Sequence, residues 1–400
     1  MAAKRYETRE VVATMRHKGR QKSEGAGWFL FPLRLSCLFA ARGFRGLHLS
    51  LLLVPLVASA AARPVTIGLV APPDDPGAAS LRCGAQLAVI EANESGEAPV
   101  ALEIQGEKGQ WGTVGNDAVT LVCDRRVDGV VTPPDGAASH LILQVAGRTQ
   151  VPVASVCPDS SVTDAGVPWA VRVVARTDQE AAALFNAEPP RAGGATRWWA
   201  VVPAGRPGRP IRHDLESAAR ATGSRLERLL EDDPAGDPAR LAGALAAASP
   251  DAVLLWLAPA RAGAMTAALR AAGFRGRLAG PGRLDSEDFL QAAGAAAAGM
   301  QVAGNRAPED RRFVDRFRHE FGRAPDTLAA SAHDAAWVLI DLLRRSADGA
   351  GYRQFPLSSP TEGVTGVLHF DPSGNRTDPL QLLTCRDGRF VPLASTLTRL

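Results

Sequence analysis

Two α/β lobes, each a parallel sheet wound with helices on both faces, are what this sequence predicts. Three observations carry the prediction. From Pro64 onward, short Val-rich apolar runs alternate with longer stretches of helical periodicity. Strands separated by helical patterns of roughly 10–15 residues build βαβ units, and near-continuous apolar strands fit a sheet covered on both sides. The alternation breaks at Glu188-Pro189-Pro190-Arg191-Ala192-Gly193-Gly194 and then restarts. The chain, at 400 residues, has room for two domains.

The first series opens with the strand Val65 to Ala71, then a helix from Gly77 to Asn93 that places Leu81, Ala85, Ala88 and Val89 on one side. Val100 to Gln105 is the next strand and Val114 to Arg126 the next helix. Asp128-Gly129 turns the chain into the strand Val130 to Thr132. A helix over Gly136–Gly147 and a strand over Val151–Val156 follow. In the second series, strands are expected at Trp198–Val202, Arg225–Leu230, Asp251–Leu257, Arg277–Ala279 and Met300–Ala303. Helices fall between them at Ile211–Thr222, Pro238–Ala248, Pro259–Ala272 and Ser286–Ala293. Two longer helices, Glu309–Phe321 and Thr327–Ser346, flank Gly322 and Pro325, and β-like segments close the chain at Val364–Phe370, Leu380–Cys385 and Phe390–Leu393.

Charge and leader fix the compartment. Residues 1–62 hold ten of the Lys and Arg residues and three of the acids; without them the chain has 35 basic and 39 acidic residues, a net of −4. A mildly acidic body has no electrostatic reason to seek nucleic acid or an anionic membrane. Leu47 to Ala62 reads LHLSLLLVPLVASAAA behind a basic segment and ends in overlapping A-x-A sites. That is the layout of a secretory signal peptide with an unusually long n-region, cleaved near Ala60–Ala62. The run is shorter than the ~20 apolar residues a spanning helix needs. The expectation is therefore an exported protein of the periplasm or cell exterior. Cys83, Cys123, Cys157 and Cys385 remain after cleavage, and sequence does not choose between buried thiols and any of their pairings.

Two loops stand where open α/β sheets bind ligands, at the carboxyl ends of neighbouring strands. Thr132-Pro133-Pro134-Asp135-Gly136-Ala137-Ala138-Ser139 opens a helix whose free N–H groups suit an anion, and Asp135 equally suits an ordinary N-cap. Ser155-Val156-Cys157-Pro158-Asp159-Ser160-Ser161 reads either as a polar pocket edge or as a capping loop. In the second series, Trp256-Leu257-Ala258-Pro259 and Gly280-Pro281-Gly282-Arg283-Leu284-Asp285 end two strands. Trp256 fits a pocket or a core, and Asp285 fits a helix cap. Cys157 lacks the neighbouring base a nucleophile needs. No G-x-S-x-G, H-E-x-x-H or Walker pattern occurs. The first strand runs into Ala71-Pro72-Pro73-Asp74-Asp75-Pro76-Gly77, which is not a dinucleotide fingerprint. No cofactor and no metal is expected, and His319 and His333, beside Glu320 and Asp334 on helices, read as satisfied or surface residues.

Four segments carry a resemblance. Val65–Leu69 through Cys83-Gly84-Ala85; Pro168-Trp169-Ala170-Val171-Arg172 with Asp178; Phe313–Gly322, Pro325 and Ala332-His333-Asp334-Ala335; and Gly366-Val367-Leu368-His369-Phe370-Asp371-Pro372-Ser373-Gly374-Asn375 stand in the order and spacing of the type I periplasmic solute-binding proteins of the leucine/isoleucine/valine-binding kind. The chain resembles that family from about Pro64 to Leu393. The resemblance implies two doubly wound lobes joined by a three-strand hinge, a Venus flytrap, with the helix from Thr327 returning to the first lobe. Combined with the break, it puts lobe I at 63–190 plus about 326–350, and lobe II with the hinge return at 191–325 plus about 351–400. It implies a non-enzymatic binder that captures an amino-acid-like or other small polar ligand and passes it to an ABC permease, or in a signalling variant to a membrane receptor. An exported hydrolase is the disfavoured alternative.

The expected ligand contacts are Asp135, Gly136, Ala137, Ala138, Cys157, Pro158, Asp159, Ser160, Trp256, Arg283 and Asp285. The family's second-lobe acid, which takes a ligand ammonium, falls on Gly282 or Arg283, so it is missing unless Asp285 stands in. The resemblance with this departure implies an anionic or neutral solute touching Arg283 rather than a branched-chain amino acid.

Overall fold

A computed structural model describes residues 64–71, 77–106, 113–164, 166–187, 196–305, 311–345 and 360–393. The leader over 1–62 and the Glu188–Gly194 break lie outside the described residues. The first series runs β1 (Val65–Val70), α1 (Ala78–Glu94), β2 (Val100–Gln105), α2 (Thr113–Val119), β3 (Gly129–Thr132), α3 (Gly136–Thr149), β4 (Val153–Ser155), α4 (Ser161–Asp164) and β5 (Ala170–Arg172). Its five strands pair in the order β2-β1-β3-β4-β5, all parallel.

The second runs α5 (Thr177–Asn186), β6 (Arg197–Pro203), α6 (Gly208–Thr222), β7 (Arg225–Asp232), α7 (Pro238–Ala248), β8 (Ala252–Leu255), α8 (Pro259–Ala271), β9 (Arg277–Pro281), α9 (Glu287–Ala293) and β10 (Gln301–Gly304). Then come α10 (Arg311–Phe321), α11 (Thr327–Arg345), the hairpin β11 (Thr361–Gly363) and β12 (Gly366–Leu368), and finally β13 (Gln381–Arg386) and β14 (Arg389–Pro392). The second sheet has the order β14-β13-β10-β9-β8-β6-β7, parallel except for its last two strands, which pair antiparallel.

The inner strands of each sheet are buried on both faces, as their apolar sequences require. On one side of the first, Ile67, Leu69 and Val131 meet Leu81, Ala85 and Ala88 of α1 and Ala332, Ala335 and Leu339 of α11. On the other, Val70 and Val130 meet Leu121 and Ile142. The α1–α11 crossing is close enough that a Cβ on Gly84 would lie 2.0 Å from the Ala329 carbonyl oxygen, so no larger residue fits there. In the second sheet Val253 and Leu255 face one cluster, and Trp198, Ala200 and Trp256 face the other.

Three expected boundaries need correction. Ala181, Leu184 and Phe185 of α5 pack on Trp198, Ala200 and Trp256, with Phe185 edge-on to Trp198 at 5.3 Å between ring centroids. The chain therefore changes sheets at 173–176, just after β5, and not at residue 190. Likewise Phe313 and Phe317 of α10 pack with Leu87, Ala329 and Ala330. The return to the first sheet thus follows β10 and does not wait for residue 326. The β11–β12 hairpin also stays with the first sheet: Leu368 joins its core, and buried Asp334 on α11 accepts the backbone N–H groups of Val364 and Thr365 and the Thr365 hydroxyl. The third change falls between β12 and β13. α11 packs on the first sheet, and β13 pairs with β10 of the second.

Residues of the segments that join the two sheets are tied to one another. Ala175 N–H donates to Asn305 Oδ1 at 2.5 Å, Arg172 N–H donates to the Gly374 carbonyl at 2.8 Å, and the buried Arg376 guanidinium donates to the Val173 carbonyl at 3.0 Å.

Candidate functional site

The carboxyl ends of the two parallel sheets face a cleft, the place where open α/β sheets leave backbone groups free for a ligand. An outer cavity of about 540 Å³ is lined from the first lobe by Pro134, Asp135, Gly136, Ala137, Pro158 and Asp159. The second lobe adds the start of α6 with Arg206, Arg209 and Asp214, and also Trp256 and Arg283. An inner cavity of about 200 Å³ continues it toward the hinge, lined by Val156, Val174, Glu180, Asn305, Asp326 and Leu328 among others. Pro134, Pro158, Trp256, Ala258 and Arg283 line both. The combined volume matches that of ordinary small-molecule sites, roughly 300–1,000 Å³.

The first-lobe wall is built by short loops. Asp135 caps α3, its Oδ1 accepting the Ala138 N–H at 2.7 Å, so the capping role the sequence suggested is occupied and Asp135 still faces the cavity. Asp159 Oδ1 accepts from Ser161 N–H at 3.0 Å and Ser161 Oγ at 2.7 Å. Its Oδ2 lies 2.3 Å from where a Gly136 Cβ would stand. The Asp159 carboxylate thus rests against the first turn of α3. His140 Nε2 shares the Ser161 hydroxyl at 2.9 Å.

Of the eleven expected contacts, the cavities bring together Asp135, Gly136, Ala137, Pro158, Asp159, Trp256 and Arg283. The other four do not line them. Ala138 and Cys157 are buried; the Cys157 N–H is used by Ser155 Oγ at 3.1 Å, and burial pushes its thiol up to about 12. Ser160 is buried beneath the cavity, bonded to Asp214. Asp285 lies beside Asp326; burial and that neighbouring charge push it up to about 6.

Sequence reasoning missed Glu180, Asp214 and Asn305. Glu180 and Asp214 lie within helices, and Asn305 follows β10, a strand end where no ligand contact was expected; long-range packing brings all three to the cleft. Burial pushes the Glu180 carboxyl up to about 8, against the opposing pull of the Gly282 N–H and of Arg283. Burial also raises Asp214, partly offset by Ser160.

Below the cleft, Arg172 is fully buried. Its Nη2 donates to the Ser160 carbonyl at 3.0 Å and to Thr163 Oγ1 at 2.6 Å, while Nε and Nη1 have no hydrogen-bond partner among the described residues. His333 is buried too, with Nε2 2.9 Å from Glu91 Oε2. All four cysteines of the described residues are free thiols. Among the described residues no cluster of three or more His, Cys, Asp or Glu is placed to hold a metal. No helix among them is long and apolar enough to cross a membrane. The arrangement offers polar groups of both signs over an apolar floor, which suits binding.

A family-level sequence profile described as periplasmic binding protein matches residues 64–386. No curated protein matches the chain. Among solved structures, a leucine-binding protein LivK from Thermotoga maritima aligns with a TM-score of 0.72 at 18% identity, covering 82% of this chain and 98% of its own. The LivJ branched-chain amino acid binding protein of Streptococcus pneumoniae, solved with isoleucine, gives 0.70 at 19%, covering 82% and 98%. A solute-binding protein of an ABC transporter from Rhodopseudomonas palustris, solved with 3,4-dihydroxybenzoic acid, gives 0.71 at 17%, covering 82% and 96%.

Proposed function

Since the chain belongs to the periplasmic binding protein family, we propose that it captures one small solute in the cleft between its lobes and delivers it to an ABC importer. The observation that carries this reading is the cavity itself. It lies at the carboxyl ends of both sheets and takes lining residues from both lobes. A solute held there touches both halves, so it binds the closed form better than the open one and shifts the balance between them.

The contacts we assign from the expected set are Asp135, Gly136, Ala137, Pro158, Asp159, Trp256 and Arg283. Ala138, Cys157, Ser160 and Asp285 act behind them. In this reading the binder carries out no chemistry, and the Cys157 thiol at the cleft is held protonated by burial. Export follows from the leader, with the mature chain starting between Ser59 and Pro64.

The test is direct. Native mass spectrometry of freshly purified protein identifies a retained solute, and small-angle scattering follows the lobes as that solute is removed and restored. A smaller radius of gyration with solute, together with a change in intrinsic Trp fluorescence that is diminished in Trp256→Phe, is expected. An unchanged scattering profile at saturation sinks the capture mechanism.

A further inference from the structure

Glu180 lies in the first turns of α5, is only 8% exposed, and lines the inner cavity. Its Oε1 accepts the Gly282 N–H at 3.1 Å. The same oxygen sits over two glycines at the ends of β9 and β10: a Cβ on Gly282 or Gly304 would come within 3.3 or 3.2 Å of it, and those two backbones already press together. The carboxyl fills the space that these two bare backbones leave.

The surrounding wall is apolar on one side, with Val156, Val174, Trp256 and Leu328. Its charged groups are Glu180, Asp288, Asp326 and Arg283. Asp326 is engaged by Ser80 Oγ at 2.5 Å and Ala329 N–H at 2.8 Å. Arg283 turns its Nη2 to the Leu257 carbonyl at 3.2 Å and acts on Glu180 through space. Asp288 is exposed. That leaves Glu180 as a buried carboxyl held, among the described residues, by one backbone N–H and no salt bridge. A carboxyl in such a place is costly to ionise until an opposite charge arrives.

We propose that Glu180 is a ligand-binding carboxyl and that the solute offers it a protonated nitrogen, with an apolar body against Trp256 and Leu328. The assignment rests on the reading of the cleft as a solute site. It replaces the anionic or neutral solute expected from sequence: the acid missing at Gly282 or Arg283 is supplied by α5, which lays its carboxyl against Gly282. Burial that holds Glu180 up at about 8 means the group gives up a proton when the cation binds near neutral pH.

A matched set of probes tests it: 2-phenylethylamine, 3-phenylpropionate and 2-phenylethanol, titrated calorimetrically near neutral pH in buffers of different ionisation enthalpy. The amine is expected to bind at least about tenfold tighter than the carboxylate, the worth of a charge-assisted hydrogen bond, and to release protons. In Glu180→Gln, whose side-chain oxygen still accepts the Gly282 N–H, amine binding falls about tenfold and proton release vanishes, while the alcohol is unaffected and circular dichroism is unchanged. Tighter binding of the carboxylate overturns the assignment. So does an amine affinity indifferent to Glu180→Gln, or failure of all three probes. The capture reading is judged apart: a cleft that closes in scattering on an anionic solute leaves capture standing and removes the ammonium site. A cleft that binds a probe without closing leaves the ammonium site and removes capture.

Discussion

Ser160 of the first lobe donates its hydroxyl to Asp214 of the second at 2.6 Å. Ser160 N–H reaches the other carboxylate oxygen at 3.4 Å, and the Ser160 carbonyl is held from behind by Arg172 at 3.0 Å. The pair spans the cleft from the loop after β4 to α6, and both partners are buried. Parting the lobes would break it.

Asp214→Ala removes this tie and leaves the Ser160 hydroxyl buried without its acceptor. A hydrogen bond to a charged group is worth about 1.5–3 kcal/mol, which loosens closure and weakens solute binding by about tenfold or more. Scattering should show a larger radius of gyration for the variant at equal solute. Asp214→Asn, which still accepts from the hydroxyl, falls between. Equal affinity in all three proteins would show the contact to be idle.

Buried groups make the ligand-free protein prefer mild acid. Burial pushes Glu180 up to about 8 and Asp285 up to about 6. Both bind a proton more tightly folded than unfolded, so their contribution is complete below about pH 4 and is lost as pH rises through 6 to 8. His333 has the same sign. Asp334 and Glu91 push it up to about 9 despite burial, and its contribution is lost between about pH 6.5 and 9. Calorimetry should find the melting temperature falling from pH 5 to pH 9, by on the order of a few kcal/mol of stability. Glu180→Gln and His333→Gln should each flatten their own part of the curve. A curve that rises with pH refutes the assignment of these groups.

Most of the fold was legible because it rests on local grammar. Val65–Val70 stands where its apolar run puts it, since a strand buried on both faces must be almost wholly apolar, and Thr327–Arg345 stands where helical periodicity puts it. β5 was not assigned: Ala170-Val171-Arg172 is three residues long and ends in an arginine, and its charge is tolerable only because Ser160 and Thr163 bond the guanidinium. The lobe boundaries were misplaced for a related reason. Pro and Gly mark turns, but which sheet a helix covers depends on long-range packing, as Phe185 on Trp198 shows. The loop residues Asp135, Gly136 and Asp159 were legible from their place after strands. Glu180 and Asp214 were not, because nothing along the chain says that α5 and α6 turn those acids toward the hinge and the first lobe.

Thiol reactivity gives a separate check on the cleft. Cys123 is exposed, while Cys157 and Cys385 are buried, and Cys157 is pushed up to about 12. A thiolate is the reactive form, so Ellman's reagent should modify Cys123 quickly and leave Cys157 untouched until the protein is unfolded. The Cys123→Ser variant should lose the fast phase. Rapid native labelling of Cys157, mapped by peptide mass, would mean that the β4 loop opens far more than its hydrogen bonds suggest.

Gly136 permits the sharpest test of the first-lobe wall. It is the first residue of α3, after the Asp135 cap, so alanine suits the helix and gains up to about 1 kcal/mol in propensity. Its new Cβ, however, would lie 2.3 Å from Asp159 Oδ2 and 3.1 Å from Cγ. Asp159 must then rotate away, breaking its bonds to Ser161 N–H and Oγ and freeing the hydroxyl that His140 shares. Those losses are surface-facing and partly replaced by water, so the melting temperature of Gly136→Ala should stay within a few degrees of the parent. The cavity wall changes shape and charge position, and affinity for the natural solute should fall by about tenfold or more. Adding Asp159→Ala to Gly136→Ala removes the clash and separates its two effects. If Asp159 only needs to stay clear, binding returns. If its carboxylate touches the solute, binding stays low. Full affinity in Gly136→Ala alone would place the solute away from the start of α3.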